Sequence, residues 1–307
     1  MRTGFQQLLA FSADESMDID DILVEAHRLL EGLEDESGVA DHLRSIDRLM
    51  DDTLAEVEQR MEHGCNGITG IPTGFDALDH VTAGWQRGDL NILAARPSVG
   101  KTAFALHLAR AAAMAGRHVV VFSLEMQGER LGDRWLLAAT EGVDPQHLRS
   151  GQLTPGEVRQ VHEASAELSR LPILIDDHPM MSMDRVRSSA RLLKSKNRCD
   201  MVIVDYLQLC DMRSDQKNRN REQEVAQASR KAKLLAKELD IPVLLLSQLN
   251  RASDGSIDHR PTLSNLRESG AIEQDADMVM LLCRPALYGK TVDKKSTYPP
   301  MAWVSSS

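Results

Sequence analysis

The segment with the most specific chemical signature lies between a short apolar run and a helical stretch. It fits the phosphate-loop pattern G-x-x-x-x-G-K-[ST], except that Ala95 replaces the first glycine. In such a loop, backbone N–H groups and a helix N-terminus form a cradle for anions, and Gly100 lets the backbone approach phosphate. We expect Lys101 to neutralise the β- and γ-phosphates of a nucleotide and Thr102 to ligate Mg²⁺. The residues of the loop are Ala95, Arg96, Pro97, Ser98, Val99, Gly100, Lys101 and Thr102.

Three polar residues at the ends of other apolar runs are candidates for completing this site. Asp205 follows the run Met201–Val204, where a carboxylate beside the phosphate loop would hold Mg²⁺ through water. Glu125 lies just past a run that ends at Ser123. We expect that run to be a strand next to the loop strand, which would let Glu125 polarise an attacking water. A carboxylate at a helix start explains Glu125 equally well. Gln248 also ends a run and could either sense a γ-phosphate or cap a buried strand end.

Two arginine-containing stretches could contact nucleic acid. The basic stretch Arg185–Arg198 is predicted to be helical and is typical of a solvated face. The segment Arg267–Gly270 could present backbone N–H groups and an arginine to a nucleic-acid phosphate, although the local sequence favours a purely structural loop. The sequence has no H-x-x-x-H pair and no G-x-S-x-G motif, so it supports neither a metallohydrolase nor a serine hydrolase of those types.

The elements that would position these residues are short apolar runs that alternate with helical stretches. Runs this apolar suit strands that are buried on both faces, and helices between them imply parallel crossovers. The sequence therefore predicts an α/β fold with a mostly parallel sheet flanked by helices. The runs are Leu90–Ala95, His118–Ser123, Ile173–Ile175, Met201–Val204, Val243–Leu246 and Met278–Leu282.

The N-terminal part of the chain differs from the rest in charge. Residues 1–64 contain 17 acidic residues (Asp or Glu) and five basic residues (Lys or Arg). The remaining residues include 29 acidic and 31 basic residues. The overall net charge of −10 excludes a generally basic, nucleic-acid-coating protein. We predict an acidic helical region at 1–66 and a larger domain at 67–307. Apolar periodicity predicts helices over 18–33 and 39–62, which could pack on the same chain or on a neighbouring subunit.

Cysteine usage and hydropathy bear on the compartment. The four cysteines are far apart and form no C-x-x-C pair, which favours reduced thiols over a disulfide framework or a zinc site. No stretch approaches 18 apolar residues, and the acidic N-terminus lacks the pattern of a signal peptide. We therefore expect a cytoplasmic protein with no membrane partner.

Taken together, these motifs resemble the motor domain of the DnaB-type replicative helicases, from about Gly67 to Arg284. The resemblance implies a RecA-like P-loop NTPase core that assembles as a ring hexamer with ATP between subunits. It also implies 5′→3′ translocation along single-stranded DNA and duplex unwinding in DNA replication. The helix predicted at 18–33 is similar in position and character to the family's linker helix, which docks on the adjacent subunit. The matching segments are Thr73–Leu78, Thr82–Gly84, Ala94–Thr102, Phe122–Met126, Val204–Leu209, Leu246–Arg251 and Leu266–Asp277.

Carried over residue by residue, the resemblance implies a role for each candidate. Lys101 and Thr102 would bind phosphate and Mg²⁺, Asp205 would hold the Mg²⁺ shell, Glu125 would activate water, and Gln248 would sense the γ-phosphate. The DNA-gripping loop of the family corresponds to Arg267, Glu268 and Gly270. Family members also interact with primase and with a helicase loader.

The sequence departs from the family pattern at both ends. Only about 16 residues precede the linker-like helix, where the family has a globular collar domain that contacts primase. The chain ends at Ser307, before a Lys-x-Arg pair that in the family reaches the neighbour's γ-phosphate as an arginine finger. We therefore expect this chain to bind ATP but to hydrolyse it slowly. Two alternatives to a helicase motor are a non-motor RecA-like ATPase and a truncated remnant that binds ATP or partner subunits without turnover.

Overall fold

The computed structural model of the chain divides into two compact units, Met1–Thr69 and Gly70–Ser307. The helix predicted at 18–33 and two of the predicted DNA-loop residues, Arg267 and Glu268, lie outside the residues that the structure describes. The described residues are 45–63, 67–178, 181–205, 221–249, 261–266, 270–284, 287 and 304–305.

In the first unit, the structure describes one helix, α1 (Ile46–His63). It covers most of the helix predicted at 39–62, and residues 39–44 lie outside the described part of the chain. The described helix begins at Ile46, because Ser45 is not helical. The Ser45 carbonyl accepts a hydrogen bond from the Leu49 N–H at 3.1 Å, in the first turn. The predicted apolar stripe is solvent-exposed along this helix. Its exposed members are Ile46, Leu49, Met50, Leu54, Val57 and Met61.

The second unit is built on one sheet, of which the structure describes seven strands in the order β3-β2-β4-β5-β1-β6-β7. The first six strands along the chain run parallel, and the short β7 pairs antiparallel with β6. The predicted α/β fold with a mostly parallel sheet is therefore confirmed. The strands are β1 (Leu90–Ala95), β2 (Val119–Ser123), β3 (Ile173–Asp176), β4 (Met201–Asp205), β5 (Val243–Gln248), β6 (Met278–Leu282) and β7 (Val304–Ser305).

Helices cover both faces of the sheet because successive side chains of each strand alternate between two hydrophobic layers. Ile92 of β1 packs in the layer that α7, α8 and α9 cover, and Leu93 packs in the layer that α2, α3 and α4 cover. No helix in the described ranges is both long and apolar enough to cross a membrane. The helices are α2 (Asp76–Thr82), α3 (Lys101–Met114), α4 (Gly128–Ala139), α5 (Pro145–Ser150), α6 (Pro155–Leu168), α7 (Met183–Ser195), α8 (Arg221–Leu239), a 3₁₀ turn (Leu263–Leu266) and α9 (Gly270–Asp275).

The glycine-rich segment before β1 folds back on itself and contains α2, a helix that the turn-rich sequence did not predict. Ile71 and Trp85 exchange two backbone hydrogen bonds, with N···O distances of 3.0 and 2.8 Å. The buried Asp79 carboxylate accepts from the Thr73 N–H at 2.8 Å and so closes the turn before α2. A Cβ at position 70 would lie 2.3 Å from the Trp85 carbonyl oxygen, so this close backbone approach requires Gly70.

Candidate nucleotide-binding site

The predicted site residues lie at the carboxyl ends of parallel strands, at one edge of the sheet. Ala95 at the end of β1 pairs in register with Gln248 at the end of β5. Ser123 at the end of β2 pairs with Asp205 at the end of β4. The carboxyl edge of an open α/β sheet is where such folds form their ligand crevices. The topology therefore brings the candidates from four strands to one place.

The phosphate loop connects β1 to α3 and leaves the helix start open. Gly100, the residue before the helix, has φ +110°, a conformation that L side chains rarely adopt. Gly100 has no side chain that could cap α3. The first backbone N–H groups of a helix have no intrahelical partner, so those of α3 can donate to a ligand. Val99, a residue of the loop, is buried and anchors it to the core. This arrangement provides the cradle for phosphate that the sequence predicts.

A threonine, a lysine and an aspartate meet beside this helix start. Thr102 Oγ1 donates to Asp205 Oδ2 at 2.8 Å. Lys101 Nζ lies 3.6 Å from Asp205 Oδ1, which is too far for a hydrogen bond. The two side chains of this ion pair are 12% and 4% exposed. Within the described ranges, Asp205 Oδ1 is buried and has no hydrogen-bond partner.

The carboxylate oxygen that lacks a hydrogen bond and the adjacent hydroxyl fit a magnesium ion. Mg²⁺ prefers hard oxygen ligands and is bound in nucleotide sites through a threonine hydroxyl and a carboxylate. A buried carboxylate oxygen without a partner costs free energy unless a ligand or water satisfies it. Thr102 and Asp205 therefore form a donor set that suits this cation.

The lysine of the loop is a half-buried cation. Burial lowers the pKa of Lys101 below its ordinary value of 10.5, and the negative charges of Asp205 and Glu125 act in the opposite direction. The charge of Glu125 thus acts on the lysine, although 24 positions separate the two residues in the sequence. Anionic phosphates close to Lys101 would further favour the charged form of this lysine.

Glu125 reaches the site by a different route from the one we expected. We predicted that its strand would neighbour the loop strand β1, and this is wrong, because β4 and β5 lie between β2 and β1. The connection through α3 leaves room for two strands between β1 and β2. These positions are occupied by β4 and β5, which come later in the chain. Glu125 is exposed between β2 and α4, and α4 begins only at Gly128. The alternative of a helix-start carboxylate is therefore wrong as well.

Gln248 lies at the end of β5, the strand that pairs with the loop strand β1. It is the last residue of β5 and is exposed, so the alternative of a buried capping residue is wrong. The next residue, Leu249, donates its N–H to the Ala95 carbonyl at 3.0 Å and accepts from Arg96 Nη1 at 3.5 Å. These bonds hold the end of β5 against the start of the loop.

Two further predictions concern nucleic-acid contacts. Gly270 is the first residue of the short helix α9, and it does not lie in a loop as we expected. Burial of Ile272 and an acidic first-turn Glu273 favour the helix here. On α7, Arg187 and Arg191 both pair with Glu238 of α8, at 2.6 Å. This pairing agrees with our interpretation of the basic stretch as an ordinary polar face.

The sequence interpretation missed two polar residues that hold the Glu125 segment. Ser123 Oγ donates to the Met126 carbonyl at 2.7 Å, and the Asp177 carboxylate accepts from the Gly128 N–H at 2.7 Å. In the sequence, Ser123 is the last residue of one apolar run and Asp177 lies two residues past another, and this position was the signal for each.

Comparison with known proteins identifies the family. A family model for the DnaB-like helicase C terminal domain matches residues 70–302. Replicative DNA helicase DnaB of Geobacillus stearothermophilus is 44% identical over 255 residues, which is 82% of this chain and 55% of that protein. The chain therefore spans about half the length of this relative.

Solved structures agree in sequence and in fold. A solved ATPase domain is 36% identical with a TM-score of 0.72, covering 81% of this chain and 86% of that one. A second solved structure, described as that of a DnaB-like replicative helicase and its interactions with primase, is 31% identical with a TM-score of 0.76. The match covers 95% of this chain and 67% of that chain. The predicted RecA-like fold and the resemblance to DnaB-type helicases are both confirmed. This chain belongs to the DnaB-like helicase C-terminal domain family.

Proposed function

We propose that this chain is the ATP-hydrolysing motor of a replicative DNA helicase, which moves 5′→3′ along single-stranded DNA and unwinds duplexes as a ring hexamer. The observation that carries the proposal is the hydrogen bond from Thr102 to the buried Asp205 beside Lys101, with Asp205 Oδ1 lacking a hydrogen bond among the described residues. Relatives named replicative DNA helicases support the choice of a motor over a non-motor ATPase.

The proposed substrate is ATP, and its phosphates would be held by the loop between β1 and α3. Lys101 would set a positive charge against the β- and γ-phosphates, and backbone N–H groups at the start of α3 would donate to phosphate oxygens. Thr102 and Asp205 would hold Mg²⁺. When bound, this ion would neutralise phosphate charge and orient the phosphates for transfer.

Glu125 and Gln248 would both act on the γ-phosphate, from positions at the carboxyl ends of β2 and β5. The Glu125 carboxylate would accept a proton from water as the water oxygen forms a bond to the γ-phosphorus. The bond from the γ-phosphorus to the β–γ bridging oxygen breaks at the same time, leaving ADP. The Gln248 amide would donate a hydrogen bond to a γ-phosphate oxygen, so that strand β5 responds to its loss.

We propose that Arg267, Glu268 and Gly270 contact the DNA backbone. Contacts to phosphate carry no sequence information, which suits a motor that must move over any sequence. We propose primase and a helicase loader as protein partners, since a similar solved helicase is described with its interactions with primase. The proposed location is the cytoplasm.

Strand displacement by the full chain tests the proposal. Two partial duplexes are compared, one with a 5′ single-stranded tail and one with a 3′ tail, each with ATP and Mg²⁺. We expect displacement only from the 5′-tailed duplex, and none with Glu125→Gln on either. ATP hydrolysis with no displacement from either duplex would instead indicate a non-motor ATPase, and ATP binding without hydrolysis would indicate a remnant.

A further inference from the structure

The segment that carries Glu125 is fixed by three hydrogen bonds, each 2.7 Å long. Ser123 Oγ donates to the Met126 carbonyl, and the Leu124 N–H donates to the Asp205 carbonyl. These two bonds come from residues at the ends of β2 and β4. The third comes from outside the nucleotide site, because the Gly128 N–H donates to Asp177 Oδ2, just past the end of β3.

Asp177 supplies a cap that helix α4 otherwise lacks. Gln127 stands at the N-cap position and makes no side-chain capping bond. The first N–H groups of a helix have no intrahelical partner, so the Gly128 N–H depends on the neighbouring strand. A carboxylate here also interacts favourably with the positive end of the helix dipole. A Cβ on residue 128 would lie 3.4 Å from Asp177 Oδ2, so the two groups are in close contact.

The strand register explains why Asp177 can reach this helix. Asp176 pairs with Phe122, and Phe122 pairs with Val204. One residue further on, Asp177 and Ser123 therefore lie level with Asp205 at the same edge of the sheet. Asp177 thus holds the Glu125 segment from the β3 side, while Asp205 holds it from the β4 side.

We propose that Asp177 is a positioning residue for Glu125. By accepting from the Gly128 N–H, it fixes the start of α4 and so limits where the Glu125 carboxylate, three residues earlier in the chain, can lie. The inference rests on the proposed function, in which Glu125 takes the proton from water. It assigns a role in turnover to a surface carboxylate that touches neither nucleotide nor metal.

Steady-state ATP hydrolysis by the full chain tests the role. In Asp177→Ala we expect kcat to fall roughly ten- to hundredfold, the range that a misplacement of about 1 Å produces, with KM for ATP unchanged. Asp177→Asn keeps an oxygen acceptor for the Gly128 N–H, so it should retain most of kcat. Adding Asp177→Ala to Glu125→Gln should cause no further loss, because the group being positioned is already absent.

A matched control separates positioning from general destabilisation. Asp144 caps α5 through the Gln146 N–H at the same 2.7 Å distance, away from the Glu125 segment. Asp144→Ala should leave kcat unchanged. Amide hydrogen exchange should rise at residues 124–130 in Asp177→Ala and stay at the wild-type rate there in Asp144→Ala.

The possible outcomes are distinguishable. If Glu125→Gln abolishes turnover while Asp177→Ala matches wild type, the positioning role is wrong and the proposed function stands. Additive losses in the double variant, or a raised KM in Asp177→Ala, would also overturn the positioning role. If Glu125→Gln hydrolyses ATP like wild type, the proposed role of Glu125 fails, and the inference fails with it. Unchanged exchange at residues 124–130 in Asp177→Ala would contradict the inference without any reference to turnover.

Discussion

Thr102 and Asp205 are 103 positions apart in the sequence, and the Thr102 hydroxyl donates to Asp205 Oδ2 at 2.8 Å. This bond joins the first turn of α3 to the end of β4. It orients a carboxylate that is 3% exposed and leaves its other oxygen without a hydrogen-bond partner among the described residues. The pair thus presents one hydroxyl and one carboxylate oxygen, which also pairs with Lys101 at 3.6 Å, next to the helix start that would receive phosphate.

Removing the Thr102 hydroxyl should weaken both the fold and the site. Thr102→Val leaves a buried carboxylate without its donor, which costs about 1–3 kcal/mol of unfolding free energy, and removes a proposed Mg²⁺ ligand. Thr102→Ser should restore both properties. Urea unfolding and ATP hydrolysis measure the two effects. Thr140→Val is a suitable control, because that hydroxyl donates only to the Leu136 carbonyl of its own helix. Wild-type stability and turnover in Thr102→Val would contradict the prediction.

Lys101→Ala should reduce ATP affinity. A charge-assisted contact to phosphate is worth about 1.5–3 kcal/mol, which is roughly ten- to hundredfold in affinity. Titration calorimetry with Mg-ATP and the full chain gives the dissociation constant. Lys231→Ala removes a lysine that pairs with Asp184 at 2.7 Å, between α7 and α8, and should bind ATP like wild type. Equal affinities for the two variants would show that the loop lysine does not contact phosphate.

The start of α6 should contribute stability in a pH-dependent way. Bonds from the Thr154 backbone and hydroxyl, and then from His147, lower the pKa of Glu157 from 4.5 to about 2. Since the folded pKa is below the unfolded value, the ionised carboxylate stabilises the fold above pH 4.5. This stability is lost as the pH falls from 4.5 through 2.

Urea unfolding at several pH values checks this sign with Glu157→Gln. The variant should be less stable than wild type at pH 7, and the difference should shrink as the pH falls from 4.5 to 2. Glu163→Gln, an exposed position on the same helix, should show little difference at any pH. A stability difference for Glu157→Gln that does not change with pH would contradict the assigned pKa direction.

Arg267→Ala should weaken binding to single-stranded DNA to the same extent for every base composition. A phosphate contact releases a counterion, so the slope of log affinity against log salt concentration should become shallower by about 1. Fluorescence anisotropy with oligo-dT and with a mixed-sequence strand, at several salt concentrations, measures both quantities. An affinity loss confined to one strand would mean that Arg267 contacts bases.

The sequence predicted β1, β2, β4, β5 and β6 well because nearly all of their residues are buried. The residues of β3, which was also predicted, are mostly half-buried, and β7 was not predicted. The predicted bounds of β1 and β6 match those observed, and β5 extends two residues further, to Gln248. Helix α2 was missed because two turns flank a helix of only seven residues. Its start depends on a bond between Thr73 and Asp79 that the apolar periodicity does not reflect.

The order of the strands in the sheet could not be predicted from the same patterns. For this reason, two residues of the candidate site were misplaced or missed. Apolar runs indicate that strands exist, but the choice of neighbours depends on packing between distant segments. We therefore placed Glu125 next to the loop strand, whereas β4 and β5 intervene. The same limit hid Asp177, whose contact with Gly128 depends on β3 pairing with β2.

ATP hydrolysis by wild type and Glu125→Gln, with saturating single-stranded DNA and Mg²⁺, tests whether this chain hydrolyses ATP with Glu125 as the base. Removing a general base typically lowers the rate by about 10²–10⁴-fold, and ATP affinity should not change, because Lys101 and Thr102 remain in place. We expect measurable turnover by wild type, a loss of this size in Glu125→Gln, and equal ATP binding by both proteins. Equal turnover in the two proteins would contradict this expectation.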